Sequence, residues 1–198
     1  MKLPLTFSLL LCCCLSVCAQ QVSPRPRPLA IKERAKKFRN SKRFFIEYDK
    51  FKDQTLVSAG PFGISGTARY MAGGGFISLS ASFLFPGQSI TQPVSEFFLM
   101  LHHSGNDWQF LTTKEIDLLI DGERITLPAL QEGEVNSRRG IGSMGVTRET
   151  LATTLTPEMF RKLGTAKSVE MRAGSYQTKL KDEHQEAFRD LLSLSLGP

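Results

Sequence analysis

Cysteine is missing from nearly all of this chain: Cys12, Cys13, Cys14 and Cys18 are the only four, and all lie near the start of its 198 residues. Beyond Cys18 no disulfide framework can form, and any zinc site would need histidine and carboxylate ligands alone. Histidine is also scarce, with only His102, His103 and His184 present. A net positive excess is missing from most of the chain as well. The formal net charge is +6, but residues 20–43 hold nine Lys or Arg against one Glu, and with Lys2 set aside residues 44–198 carry −3. The basic pI near 9.3 therefore describes one segment, and a basic binding groove on the remainder is excluded.

What is present begins with residues 3–19, LPLTFSLLLCCCLSVCA, which are free of charge, follow Lys2 and end in Val17-Cys18-Ala19. This pattern predicts a secretory signal over residues 1–19, cut near Ala19; the run is slightly short of the roughly 20 residues that span a bilayer. The Lys and Arg that follow oppose translocation and leave retention as an uncleaved anchor as the alternative. Leu15-Ser16-Val17-Cys18 is similar to a bacterial lipobox, which makes Cys18 a lipidation candidate. Val17 departs from that pattern, where Gly, Ala or Ser is usual, and the favoured reading of Cys18 is a small apolar residue of the signal. Export without any disulfide suits a periplasmic or secreted protein of the bacterial cell envelope.

Residues 20–43, QQVSPRPRPLAIKERAKKFRNSKR, predict a basic, Pro-rich tether: Pro24, Pro26 and Pro28 favour an extended start, and the cationic remainder repels itself. Its chemistry suits a solvated spacer or contact with an anionic membrane or wall surface. Nucleic acid is not expected as a partner, because the segment is read as exported and Phe38 is its single aromatic.

Residues 44–198 predict one α+β domain, mainly antiparallel β-sheet in a twisted sheet or a flattened barrel or sandwich, with two short helices near the C-terminus. Residues 76–85, FISLSASFLF, place Ile77, Leu79, Ala81, Phe83 and Phe85 on one face and Ser78, Ser80 and Ser82 on the other, predicting a half-exposed strand. Residues 97–101, FFLML, are apolar on both faces and predict a central strand. Residues 115–127, EIDLLIDGERITL, predict a hairpin turning at Asp121-Gly122. Further strands are expected at 44–51, 55–59, 145–155, 168–172 and 176–180. One helix is expected to be capped by Thr156, to start at Pro157 and to close at Gly164. The other is expected to begin near Asp182, with Gln185 completing a capping box, and to bury Ala187, Phe188, Leu191 and Leu192.

Several motifs invite chemistry. Gly140-Ile141-Gly142-Ser143-Met144-Gly145 matches G-x-G-x-x-G, but a dinucleotide site needs a buried strand before it and a helix after it, and a strand is expected to follow. Ser143 lacks the first glycine of G-x-S-x-G, since Ile141 stands there. Arg138 and Arg139 beside Gly140 are a weak anion-site candidate. His102 and His103 are adjacent on a strand and so point to opposite faces, which disfavours a shared metal. Glu115, Asp117 and Asp121 are expected to be solvated hairpin acids. Gly60, Gly63, Gly66 and Gly73 to Gly75 bracket residues 67–70 and predict a wide turn with a glycine bulge. His184 is expected to pack on the stripe of Phe188 and Leu191.

No cofactor is expected. The function these features favour is a non-enzymatic binding module for a protein or small ligand, exported to the envelope. The alternative is a hydrolase using His102 or His103 with Asp107.

Overall fold

Residues 31–64, 75–136 and 146–196 are described by the computed structural model. The expected signal 1–19, Cys18, the proline run, residues 67–70, Gly66, Gly73, Gly74, Arg138, Arg139 and the glycine motif 140–145 lie outside them.

Among the described residues ten antiparallel strands form two sheets, and neither closes into a barrel. The larger sheet has the order β1 (Phe44–Asp49), β2 (Gln54–Gly63), β3 (Phe76–Pro86), β4 (Phe97–Gly105), β8 (Val146–Leu155) and β7 (Leu130–Asn136). The smaller has the order β10 (Tyr176–Lys179), β9 (Val169–Ala173), β5 (Glu115–Ile120) and β6 (Glu123–Pro128). Helices α2 (Pro157–Thr165) and α3 (Asp182–Ser195) stand near the C-terminus as expected. A third helix, α1 (Ile31–Ala35), precedes the sheets.

Period-two alternation builds the inner face of the larger sheet. Leu79, Phe83, Phe97, Leu99, Leu101, Leu151 and Leu155 are all fully buried on that face. Phe97 stacks on Phe160 of α2 with ring centroids 4.2 Å apart, and Phe160 meets Phe188 of α3 at 5.4 Å. These rings tie sheet to helices; truncating one of them to alanine costs about 3–5 kcal/mol. Ile116, Leu118, Val169 and Met171 of the smaller sheet belong to the same core.

The serine face of β3 differs from expectation. Ser78, Ser80 and Ser82 are 4%, 4% and 2% exposed, not half-solvated. Their register explains it: they lie opposite His102, Met100 and Phe98 of β4, and short hydroxyls on an interior strand sit below such long neighbours.

The hairpin formed as the sequence predicts. Asp121 and Gly122 adopt φ of 50° and 90°, the left-handed pair that a two-residue turn requires. The Asp121 carboxylate does more than face solvent, since it accepts the Ser168 N–H at 2.8 Å. In β2 the pairing with β3 shifts between Ala59 and Phe62, a bulge where Gly60 has φ of 111°.

Both C-terminal helices correct their expected punctuation. Thr156 caps α2 by accepting the Met159 N–H at 3.2 Å, but the helix runs past Gly164 to Thr165. Gly164 is instead buried against α3, where an added Cβ would meet Arg189 Cγ at 3.1 Å. Lys181, not Asp182, is the N-cap of α3. Gln185 turns away to donate to the Leu163 and Ala166 carbonyls at 3.2 and 3.0 Å, closing the C-terminal end of α2.

The second half of the expected tether is docked, not solvated. Ile31 and Ala35 of α1 are buried, 6% and 4% exposed. Arg34 donates to the Ser193 carbonyl at 3.0 Å, Asn40 to Asp190 at 3.2 Å and Arg43 to Glu183 at 3.3 Å, while Arg39 lies 3.7 Å from Glu186. The physical reason lies outside the segment: α3 presents Glu183, Glu186 and Asp190 along one side, and their charge offsets the self-repulsion that predicts an extended chain.

Candidate functional site

Strand β4 ends not at Leu101 but at Gly105, so both histidines lie within it, pointing to opposite faces as their adjacency dictates. They do different things.

His103 points into the core and is 6% exposed. Its Nδ1 lies 3.0 Å from Oε2 of Glu149, directly opposite on β8. The same carboxylate accepts the Gln109 and Phe110 backbone N–H groups at 2.5 and 3.0 Å. The amide of Gln131, on β7, reaches Glu149 at 3.3 Å in one orientation and the Phe110 and Leu111 carbonyls in the other. In the first it adds a bond to the carboxylate that holds the loop, and in the second it holds the loop itself. Glu149 is thus a buried carboxylate that fastens residues 106–111 to the sheet, with charge-assisted bonds replacing its lost hydration. The Nε2 edge of His103 is pressed between two glycines: a Cβ at Gly75 or Gly105 would fall 2.0 or 2.7 Å from Nε2.

His102 points to the outer face and is half-buried. Its Nε2 lies 2.8 Å from Ser80 Oγ and its Nδ1 3.1 Å from Thr150 Oγ1, so one imidazole bridges three strands. Burial holds its pKa below the ordinary histidine value of 6.5, which keeps it neutral at pH 7. A cavity of about 180 Å³ opens beside it, lined by Phe76, Ser78, His102, Ser104, Arg148 and Thr150.

Asp107, expected as the partner of a catalytic histidine, is exposed, and no hydrogen bond joins it to either ring. The carboxylate that meets His103 is Glu149, which sequence reasoning missed because it lies 46 residues away on another strand and only cross-strand register brings the two together. Alternation in residues 145–155 could have put Thr147, Glu149 and Leu151 on one buried face; that was the available signal. Glu115 is exposed, and Asp117 is clasped by Arg124 at 3.1 Å, by Arg172 and by the Thr126 hydroxyl at 2.6 Å. These partners hold the Asp117 carboxyl well below the usual carboxylate range, with the Thr126 bond contributing most. Among the described residues no three His, Cys, Asp or Glu side chains gather as a metal site. The flank after the glycine motif is strand β8, which leaves no helix N-terminus to face a pyrophosphate.

The outer face of the larger sheet carries a second feature. Cross-strand register aligns Phe45, Leu56, Leu84, Phe98 and Met100 on this face, around Ser58, Ser80 and Ser82. Phe45 is 53% and Leu84 40% exposed. Among the described residues the helices and the smaller sheet pack on the opposite, Leu79 and Leu99 side. Among the described residues no helix is long and apolar enough to cross a membrane. No known family model, characterised protein or solved structure matches this chain, so what it does has to be argued from this geometry alone.

Proposed function

We propose that the chain is an exported, non-enzymatic binding module of the bacterial cell envelope, and that it takes an apolar protein surface on the outer face of its larger sheet. The observation that carries this reading is that Phe45, Leu56, Leu84, Phe98 and Met100 share this face, interspersed with Glu47, Ser58, Ser80 and Ser82, where a solvated sheet face carries mainly polar side chains. The uncharged run at residues 3–19 supports export, and the exposed Lys32, Lys37 and Lys42 supply cations for an anionic lipid or wall polymer.

One contact favours a hydrolase as the second reading: Ser80 Oγ lies 2.8 Å from His102 Nε2. Three features weigh against it. Ser80 is only 4% exposed, the far side of the imidazole meets a neutral Thr150 hydroxyl instead of a carboxylate, and Ser80 sits inside a strand whose backbone N–H groups serve the sheet and not an oxyanion.

A photo-crosslinking residue at Leu84, compared with one at Leu119 on the exposed side of the smaller sheet, tests the proposal in envelope-bearing cells. A discrete adduct at Leu84 and none at Leu119 supports it. Equal labelling at both positions, or an ester-hydrolysing activity abolished by His102→Ala with the fold intact, overturns it.

A further inference from the structure

Helix α3 begins beneath the docked N-terminal segment, and His184 sits at that junction, 1% exposed. Its Nδ1 accepts the Lys181 backbone N–H at 3.2 Å, the bond that a Glu or Gln makes from this third helical position in a capping box. Nδ1 therefore carries no proton, and the ring's one proton sits on Nε2, which is buried without a hydrogen-bond partner. The nearest charge is Glu183 Oε1, 3.7 Å from Nε2 and too far for a hydrogen bond. The other oxygen of Glu183 is held by Arg43 at 3.3 Å. Phe62 of β2 packs on the imidazole with centroids 5.3 Å apart, and its ring also carries the Arg43 guanidinium at 5.0 Å.

We infer that proton uptake by His184 unlatches residues 31–43 from α3. A second proton on the ring must go to Nδ1, which turns the acceptor of the Lys181 N–H into a donor and removes the cap. The imidazolium also needs a counter-charge, and Glu183 is the one within reach. Drawn inward, Glu183 leaves Arg43, the cation that anchors the segment at the start of the helix. This device is independent of what the outer sheet face binds.

The sign follows from the groups around the ring. Burial lowers the His184 pKa most, Lys181 and Arg43 lower it further, and Glu183 alone raises it; the docked ring therefore takes its proton below the ordinary 6.5. Undocking removes the Arg43 charge and frees Glu183 to face the ring, and both changes raise the pKa toward the ordinary 6.5, so docking is complete above about that value and weakens as pH falls toward the docked pKa. Within that window each pH unit shifts the equilibrium by at most about tenfold, the limit for one proton. Asp190, which meets Asn40, behaves oppositely: burial raises its pKa, so its protonation favours the docked state.

Hydrogen exchange across residues 31–43 of the full chain, corrected for intrinsic rates, measures the latch between pH 7.5 and pH 5. The expected result in the wild type is protection that holds from pH 7.5 to about pH 6.5 and falls below it, by up to about tenfold per pH unit, with the sheet amides unchanged. His184→Gln keeps the capping acceptor, cannot titrate, and is expected to hold its protection throughout. Equal loss in H184Q, or no loss in the wild type, overturns the inference. Should H184Q fail to fold, the imidazole resonances of wild-type His184 decide. Opening that follows their titration upholds it, and opening displaced from it by more than about one pH unit overturns it.

Discussion

His103 and Glu149 face each other across β4 and β8 with Nδ1 and Oε2 3.0 Å apart, both out of water. Because the carboxylate also takes two backbone N–H groups from residues 109 and 110, the pair fastens a loop as well as a ladder. Glu149→Gln turns one acceptor oxygen into an NH₂ group facing donors, so it is expected to destabilise the protein by about 3 kcal/mol. Urea unfolding at pH 7 reads this directly. A loss below about 1 kcal/mol would show that the loop is held by other means.

Gly75 tests the same pair from its other side. An alanine Cβ there would stand 2.0 Å from His103 Nε2, and the three atoms nearest to it all belong to that ring, so the histidine is its first obstacle. Gly75→Ala is expected to destabilise strongly in the wild type and much less in a His103→Ala background. A coupling of at least about 1 kcal/mol in the double-mutant cycle is the expected result, and additive costs would contradict the packing described.

The elements that could be read from the sequence are those whose cause is local. Residues 115–127 announce their hairpin because Asp121-Gly122 can take positive φ and the flanks alternate, and β5 and β6 follow. Thr156-Pro157 marks the start of α2 for the same reason. Strand β7 was not legible: its sequence LQEGEVN is polar and holds Gly133, and only pairing with β8 makes it a strand. Docking of residues 31–43 was hidden likewise, since the acids that receive Arg39 and Arg43 lie some 140 residues later on α3. At the candidate site the opposite orientations of His102 and His103 were predictable from strand geometry. Their partners Glu149, Ser80 and Thr150 depend on register between strands, which no local pattern encodes.

Asp117 sets a pH dependence of its own. Its pKa is depressed by Thr126, Arg172 and Arg124, so its contribution to stability is present above the ordinary carboxylate value of 3.8 and is lost as pH falls through the lower folded value. The arginines are half or more exposed, so solvent screens the cluster. Asp117→Asn is expected to cost about 0.5–1 kcal/mol at pH 7 and measurably less at pH 2, read from unfolding at the two pH values. A penalty that persists undiminished at pH 2 would mean that shape, not charge, holds these three residues.

Trp108 is the single tryptophan of the chain and packs on Gly133 of β7, where an added Cβ would meet its ring at 2.6 Å. The obstructing atom belongs to a side chain already 40% exposed, so the ring can swing outward while the strand stays in place. Gly133→Ala is therefore expected to cost under about 1 kcal/mol and yet to shift the tryptophan emission to longer wavelength, because the indole loses its backbone cover and meets water. Unchanged emission with a large loss of stability would place the strain in β7 itself. It would also show that the tryptophan, not the strand, is the rigid partner at this edge of the sheet.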